Sequence, residues 1–98
     1  MERIFSKRTL REFWEKEHEA RPYLETWYES VKKATWAKPS DIKKFYATVS
    51  ILKGSRVVFN IKGNSYRLVA KINYSKSWLF IRFIGTHKEY DKINAEEI

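Results

Sequence analysis

The apolar residues of this chain change period near its middle. From Arg56 onward they alternate: Val57, Phe59 and Ile61, then Leu68, Ala70 and Ile72, then Leu79, Ile81 and Phe83. Before Ala34 they recur at three and four: Leu10, Phe13 and Trp14, then Leu24, Trp27, Tyr28 and Val31. A period of two lets a strand bury one face, and a period near 3.6 lets a helix bury one stripe. A chain of 98 residues with both patterns in succession is expected to be one α+β domain spanning residues 1–98. Two N-terminal helices would pack on one face of a small antiparallel sheet, followed by a short C-terminal helix.

The elements follow from local signals. Arg3 to Phe5 reads as a short first strand. Ser6 is placed to cap a helix running to about Glu19, and Pro22 suits the first turn of a second helix ending near Ala34. Ser40 is expected to cap a short turn carrying Ile42 and Phe45, while residues 47 to 54 give no clear pattern. The three alternating runs form an antiparallel meander. The helical spacing of Trp14, Trp27 and Tyr28 assigns these rings to the core rather than to base stacking. No internal repeat or second domain is present.

Composition narrows the function. Aromatic residues make up 16% of the chain, which argues against disorder. There are 20 Lys plus Arg against 12 Asp plus Glu, a net charge of +8, which favours an anionic partner such as nucleic acid. The absence of cysteine excludes disulfides and thiolate catalysis and fits a cytoplasmic setting. Two histidines without cysteine leave no basis for a structural zinc site, and neither a metal nor a cofactor is expected. No window approaches the ~18 apolar residues of a membrane span, so no membrane partner is expected.

Register turns the polar residues into a surface. If Gly63-Asn64 is a two-residue hairpin loop, Asn60 opposes Arg67 and Phe59 opposes Leu68. Phe59 and Leu68 then face the core, while Asn60 and Arg67 lie side by side on the other face. An even loop near Ser75 to Ser77 keeps Leu79, Ile81 and Phe83 in the core and puts Arg82 beside them on the outer face. One sheet face is therefore expected to present Arg56, Asn60, Lys62, Arg67, Lys71 and Arg82. Any antiparallel sheet has a wet face; this one is cationic without an acid, which suits phosphate binding.

Thr86-His87-Lys88-Glu89 has the pattern of a capping box. Tyr90 and Asp91 follow His87 at three and four residues and share one side of the short helix it opens. Histidine changes charge near neutral pH, so His87 is the candidate general acid or base. Arg67, near the end of the preceding strand, is the candidate holder of a scissile phosphate. Tyr90 either donates to phosphate, stacks on a base, or simply packs inward; Asp91 orients His87 or contributes to the RNA-binding set.

Phe59-Asn60-Ile61-Lys62-Gly63-Asn64-Ser65-Tyr66-Arg67-Leu68 and Thr86-His87-Lys88-Glu89-Tyr90-Asp91-Lys92-Ile93 together resemble a HigB-type toxin of the RelE superfamily. Ile72-Asn73-Tyr74, Trp27-Tyr28 and Pro39-Ser40-Asp41-Ile42 extend the resemblance over nearly the whole chain. It implies a cytoplasmic mRNA interferase of a type II toxin-antitoxin system, cutting mRNA on the ribosome at the A site of the 30S subunit. It implies neutralisation by a cognate helix-turn-helix antitoxin of the HigA-like kind. Residue by residue, it puts Arg67, His87 and Tyr90 in the catalytic set; the reading of the sheet face and the short helix adds Asn60, Lys62, Lys71, Arg82 and Asp91 as the RNA-binding set. Two other readings compete: a basic RNA-binding module without catalysis, and a protein-interaction domain for an acidic partner.

Overall fold

The computed structural model describes residues 1–98. Strand β1 (Arg3–Phe5) leads into helix α1 (Lys7–Lys16), a single 3-10 turn (His18–Ala20) and helix α2 (Arg21–Lys33). Helix α3 (Pro39–Phe45) is followed by strands β2 (Ser50–Ile51), β3 (Arg56–Ile61), β4 (Tyr66–Asn73) and β5 (Trp78–Thr86), and by the single turn α4 (His87–Tyr90). The expected α+β class holds, with a wider sheet: five strands in the order β1-β5-β4-β3-β2, with β1 parallel to β5 and the other pairs antiparallel. The expected first strand, Arg3–Phe5, forms one edge, and Ser50–Ile51, within the stretch that gave no clear pattern, forms the other. No helix is long and apolar enough to cross a membrane.

Helix boundaries depart from expectation where caps were assumed. Ser6 stands at the N-cap of α1, but its side chain caps no backbone N–H, and the helix ends at Lys16 before the 3-10 turn. In α3 the N-cap is Lys38, with Pro39 at the first helical position and Ser40 already inside the helix. Proline suits that position because its missing N–H has no partner to lose there. Asp41 closes the entry instead, accepting from the Ala37 N–H at 2.9 Å.

The helical stripes converge on the sheet as the spacing implied. Leu10, Trp14, Leu24, Trp27, Val31 and Ile42 meet Val57, Phe59, Ile61, Leu68, Ala70, Ile72 and Leu79 in one core. Phe59 is its centre, with ring centroids of Trp27 and Tyr46 at 5.3 Å and Trp36 at 6.2 Å. Truncating such a buried ring to alanine typically costs about 3–5 kcal/mol. Phe45, on the same short helix as the fully buried Ile42, is 72% exposed.

The β3–β4 register is the expected one, with Asn60 opposite Arg67 and Phe59 opposite Leu68. The connection is a four-residue turn, not two, because Lys62 and Gly63 both adopt positive φ (52° and 62°). In β5 a bulge departs from simple alternation: Val69 opposes Phe83 and Ala70 opposes Ile81, leaving Arg82 as the extra residue. Phe83, expected in the main core, therefore turns to the opposite face, and Ile84 packs against the main core in its place.

That opposite face is not the open cationic surface expected. Val58 and Val69 pair across it and are buried with Ala95, flanked by Leu52, Phe83, Tyr90, Ile93 and Ile98. Two apolar residues on the outer face need a cover, and the segment after α4 supplies it. Arg56 is drawn into this layer, its Nε donating to the Ile98 carbonyl at 2.6 Å.

Burial lifts the Tyr46, Tyr66 and Tyr74 hydroxyls above the ordinary tyrosine value of 10.0. A phenol whose pKa is raised by folding binds its proton longer in the native state, so stability is lost as pH rises from 10 through the folded value. In an alkaline titration, tyrosinate absorbance is expected to come in two stages. The late stage should coincide with loss of near-ultraviolet circular dichroism. A single early stage with the fold intact would contradict this packing.

Candidate active site

The site is built where β4 begins and β5 ends. Arg67 lies directly opposite Gly85, and two residues later β5 passes into α4 at His87. The capping box forms in full: Thr86 Oγ1 accepts from the Glu89 N–H at 3.2 Å, and Glu89 Oε1 accepts from the Thr86 N–H at 2.8 Å. The His87 N–H donates to the Ser65 carbonyl at 3.3 Å, tying the helix start to the β3–β4 turn. His87, Tyr90 and Asp91 are thereby held over the strand that carries Arg67.

Three contacts define the cluster. His87 Nδ1 lies 3.1 Å from Asp91 Oδ2, with the imidazole 45% exposed. The Arg67 guanidinium sits 5.2 Å from the centre of the Tyr90 ring, within cation–π range. Arg67 Nη2 donates to Asn64 Oδ1 at 2.7 Å. Tyr90 is half-buried, its far side against Phe83 at a centroid separation of 6.4 Å. So Tyr90 packs inward and supports the arginine at once.

Arg67 has no carboxylate partner; none of the four close contacts between basic and acidic side chains involves it. Its Nε is buried and has no acceptor at all. Leaving a buried donor unpaired costs about 1–3 kcal/mol, and more for a charged group. An arginine within cation–π range of a ring, with its inner nitrogen unpaired and no carboxylate on it, keeps a charge that the protein itself does not neutralise.

The other expected residues divide. Asn60 stands beside Arg67 in register, but its Nδ2 donates to the Thr48 carbonyl at 3.3 Å. Lys62 turns toward the helical layer and pairs with Glu19 at 2.8 Å, because its positive φ swings it off the outer face. The hydrogen bond from Lys62 holds Glu19 below the usual carboxylate range, and the same bond raises Lys62. Lys71 and Arg82 are not at the His87 end. They share a groove toward the other end of β4, with Asn73 and Phe80. Asn64 and Gly85 were not anticipated as parts of the site. The Asn64 contribution had a signal, since a turn amide near an arginine on the next strand can reach it.

Helices over one face of a mixed sheet, with a short capped helix closing the strand end that carries the arginine, are the α+β architecture of a RelE-like toxin. Residues 20–93 match the family model described as HigB_toxin, RelE-like toxic component of a toxin-antitoxin system. The chain belongs to the HigB toxin family. It is similar to the mRNA interferase toxin HigB of Escherichia coli K12, 28% identical over 94 residues that cover 94% of this chain and 90% of that one. The mRNA interferase HigB of Shigella flexneri aligns to the same extent. A further mRNA interferase HigB, from Escherichia coli O6:H1, is 26% identical over 72 residues, 71% of this chain and 70% of its own.

Gly85 is a steric requirement of the site. A Cβ there would stand 2.6 Å from Phe83 Cζ and 3.1 Å from Glu89 Oε1. It would push the ring that backs Tyr90 and the carboxylate that closes the capping box. Gly85→Ala is expected to lower stability by about 1–3 kcal/mol, as overpacking commonly does. The readout is the urea midpoint at unchanged slope; an unmoved midpoint would mean that Phe83 swings away freely.

Proposed function

We propose that this protein is a toxin that cleaves mRNA, an endoribonuclease acting through Arg67, His87, Tyr90 and Asp91. The observation that carries the reading is the unneutralised Arg67, within cation–π range of Tyr90 and with a buried nitrogen that no protein group accepts from. The relatives' designation as mRNA interferases supports RNA as the polyanion.

The reaction proposed is attack of a ribose 2′-OH on its own 3′ phosphate, a step open to RNA and closed to DNA. It needs no metal in the step and no outside nucleophile. Asp91 accepts from His87 Nδ1–H, which leaves Nε2 unprotonated and turned to substrate. Nε2 takes the 2′ proton as the new P–O bond forms. Arg67 binds the non-bridging oxygens, where negative charge grows in the transition state. The bond to the 5′ oxygen breaks, that oxygen takes a proton from water, and the products are a 2′,3′-cyclic phosphate and a 5′-OH end. Tyr90 fixes the plane of the guanidinium.

The target is proposed to be mRNA in the ribosomal A site, in the cytoplasm, with a HigA-like helix-turn-helix antitoxin as the restraining partner. The family's description as the toxic component of a toxin-antitoxin system supports a partner of this kind. Asn60 and Lys62 are engaged within the protein and have at most a secondary share in RNA contact.

The test maps RNA 5′ ends after induction of the protein and its variants. Arg67→Ala is expected to reduce cleavage about 10²- to 10³-fold, and His87→Ala about 10²- to 10⁴-fold. Both should keep the thermal unfolding midpoint within a few degrees of wild type, since both side chains are partly exposed. Wild-type cleavage by both variants would refute the assignment. Salt-dependent RNA binding with no new ends, unaffected by His87→Ala, would instead favour a non-catalytic RNA-binding module.

A further inference from the structure

The outer face of the sheet has a second zone, separate from the His87 cluster. Ile4 and Leu79 pair across β1 and β5 and point to the core, so their neighbours point outward. Arg3 pairs with Trp78 and Phe5 with Phe80, and Phe80 in turn opposes Lys71 on β4. The row Phe5–Phe80–Lys71 thus crosses three strands, with Arg3–Trp78–Asn73 beside it.

The aromatic members form a connected surface. Phe5 and Phe80 stack at 5.0 Å with planes 13° apart, and Trp78 meets both edge-on at 5.9 and 6.3 Å. Phe5 is 37% exposed, and neither Trp78 nor Phe80 is buried. Cations ring it: Lys76 Nζ lies 4.7 Å from the Trp78 ring centre and Arg3 Cζ lies 6.0 Å from it. Beside Phe80 opens a groove of about 530 Å³ bounded by Ser55, Lys71, Asn73, Ser75 and Arg82, with no carboxylate in its wall. Asn73 Oδ1 accepts from Ser75 Oγ at 2.9 Å and from the Lys76 N–H at 3.2 Å. Its amide nitrogen makes no hydrogen bond within the protein and is left free to donate.

We propose that the Phe5–Trp78–Phe80 surface and the Lys71–Arg82 groove form a second subsite, which binds single-stranded RNA away from the scissile phosphate. The proposal rests on RNA as the substrate class and deepens that reading. Stacking platforms beside cations are how proteins hold single strands with little sequence demand, because every base has a π-face. Lys71 and Arg82 neutralise the backbone, Phe80 receives a base, and the Asn73 amide meets a base-edge acceptor. Lys71 lies four residues along β4 from Arg67, about 13 Å at strand rise. One strand of RNA spans both sites, and the subsite holds it while His87 acts.

The probe is a short oligoribonucleotide with 2′-O-methyl riboses, which cannot cleave itself, read by intrinsic fluorescence and anisotropy. Trp78 is the one tryptophan of four that is not buried, so the probe should quench it. Trp78→Ala and Phe80→Ala should each weaken binding about ten-fold or more, as loss of one stacked base does. Trp78→Phe should restore most of the affinity. Lys71→Gln and Arg82→Gln, both exposed, should each flatten the salt dependence by about one phosphate contact. Unchanged affinity in the aromatic variants, at unchanged fold, overturns the subsite. So does loss of antitoxin binding in those variants with RNA affinity retained, which makes the surface a protein contact. If the wild type binds RNA through Trp78 but cuts nothing, the nuclease reading fails and the subsite stands.

Discussion

The pairing of Arg67 with Gly85 is the constraint on which the active end of the molecule depends. A glycine across the ladder puts no side chain against the arginine and lets Phe83 and Glu89 close over the same spot. The pairing is itself a product of the bulge at Arg82. Counting back from Asn73 opposite Trp78 without an extra residue, Arg67 would face Ile84 rather than Gly85. The bulge therefore does two things at once. It moves Phe83 under Tyr90, and it sets the start of α4 at the height of the arginine. Bulges shift side chains between faces in this way because the period of a strand is two.

Much of the frame was legible from the chain. The change of period located the helices and the main strands, and the Gly63-Asn64 turn set the β3–β4 register even though the loop proved longer. The capping box and the His87–Asp91 contact were also readable, since both are local to one helical turn. What escaped were non-local events. The two-residue edge strand Ser50–Ile51 carries no period to detect, whereas Arg3–Phe5 was legible as a strand but not its parallel pairing with β5. The bulge breaks alternation at one position that alternation itself assigned to the outer face. The catalytic assignments remain proposals, because no contact within the protein reports what Arg67 and His87 do to a substrate.

The cover over the outer face is a further case. Val58 and Val69 fall opposite each other on the side taken as polar, and Ile93, Ala95 and Ile98 follow the last helix. Apolar residues facing one another on a supposedly wet face call for a cover of their own. Their consequence is a divided surface. The apolar centre is closed by the segment after α4, the His87 cluster lies at one end, and the aromatic rows lie at the other. A cationic sheet surface read as continuous is in fact two separate zones.

A helix of one turn has no stability of its own, because nucleation costs more than its few hydrogen bonds return. The place of α4 is set by its neighbours: the capping box, the Ser65 carbonyl, and Tyr90 wedged between Phe83 and Arg67. The segment that follows is pinned in turn by Ala95 against Val58 and Val69 and by Arg56 on the Ile98 carbonyl. Loosening that layer would let Tyr90 leave the guanidinium before the main core felt any change. Arg67 would then keep its strand and its charge and lose its orientation. Packing on the sheet face away from the helices is thus coupled to the geometry of the proposed phosphate site through the Tyr90 ring.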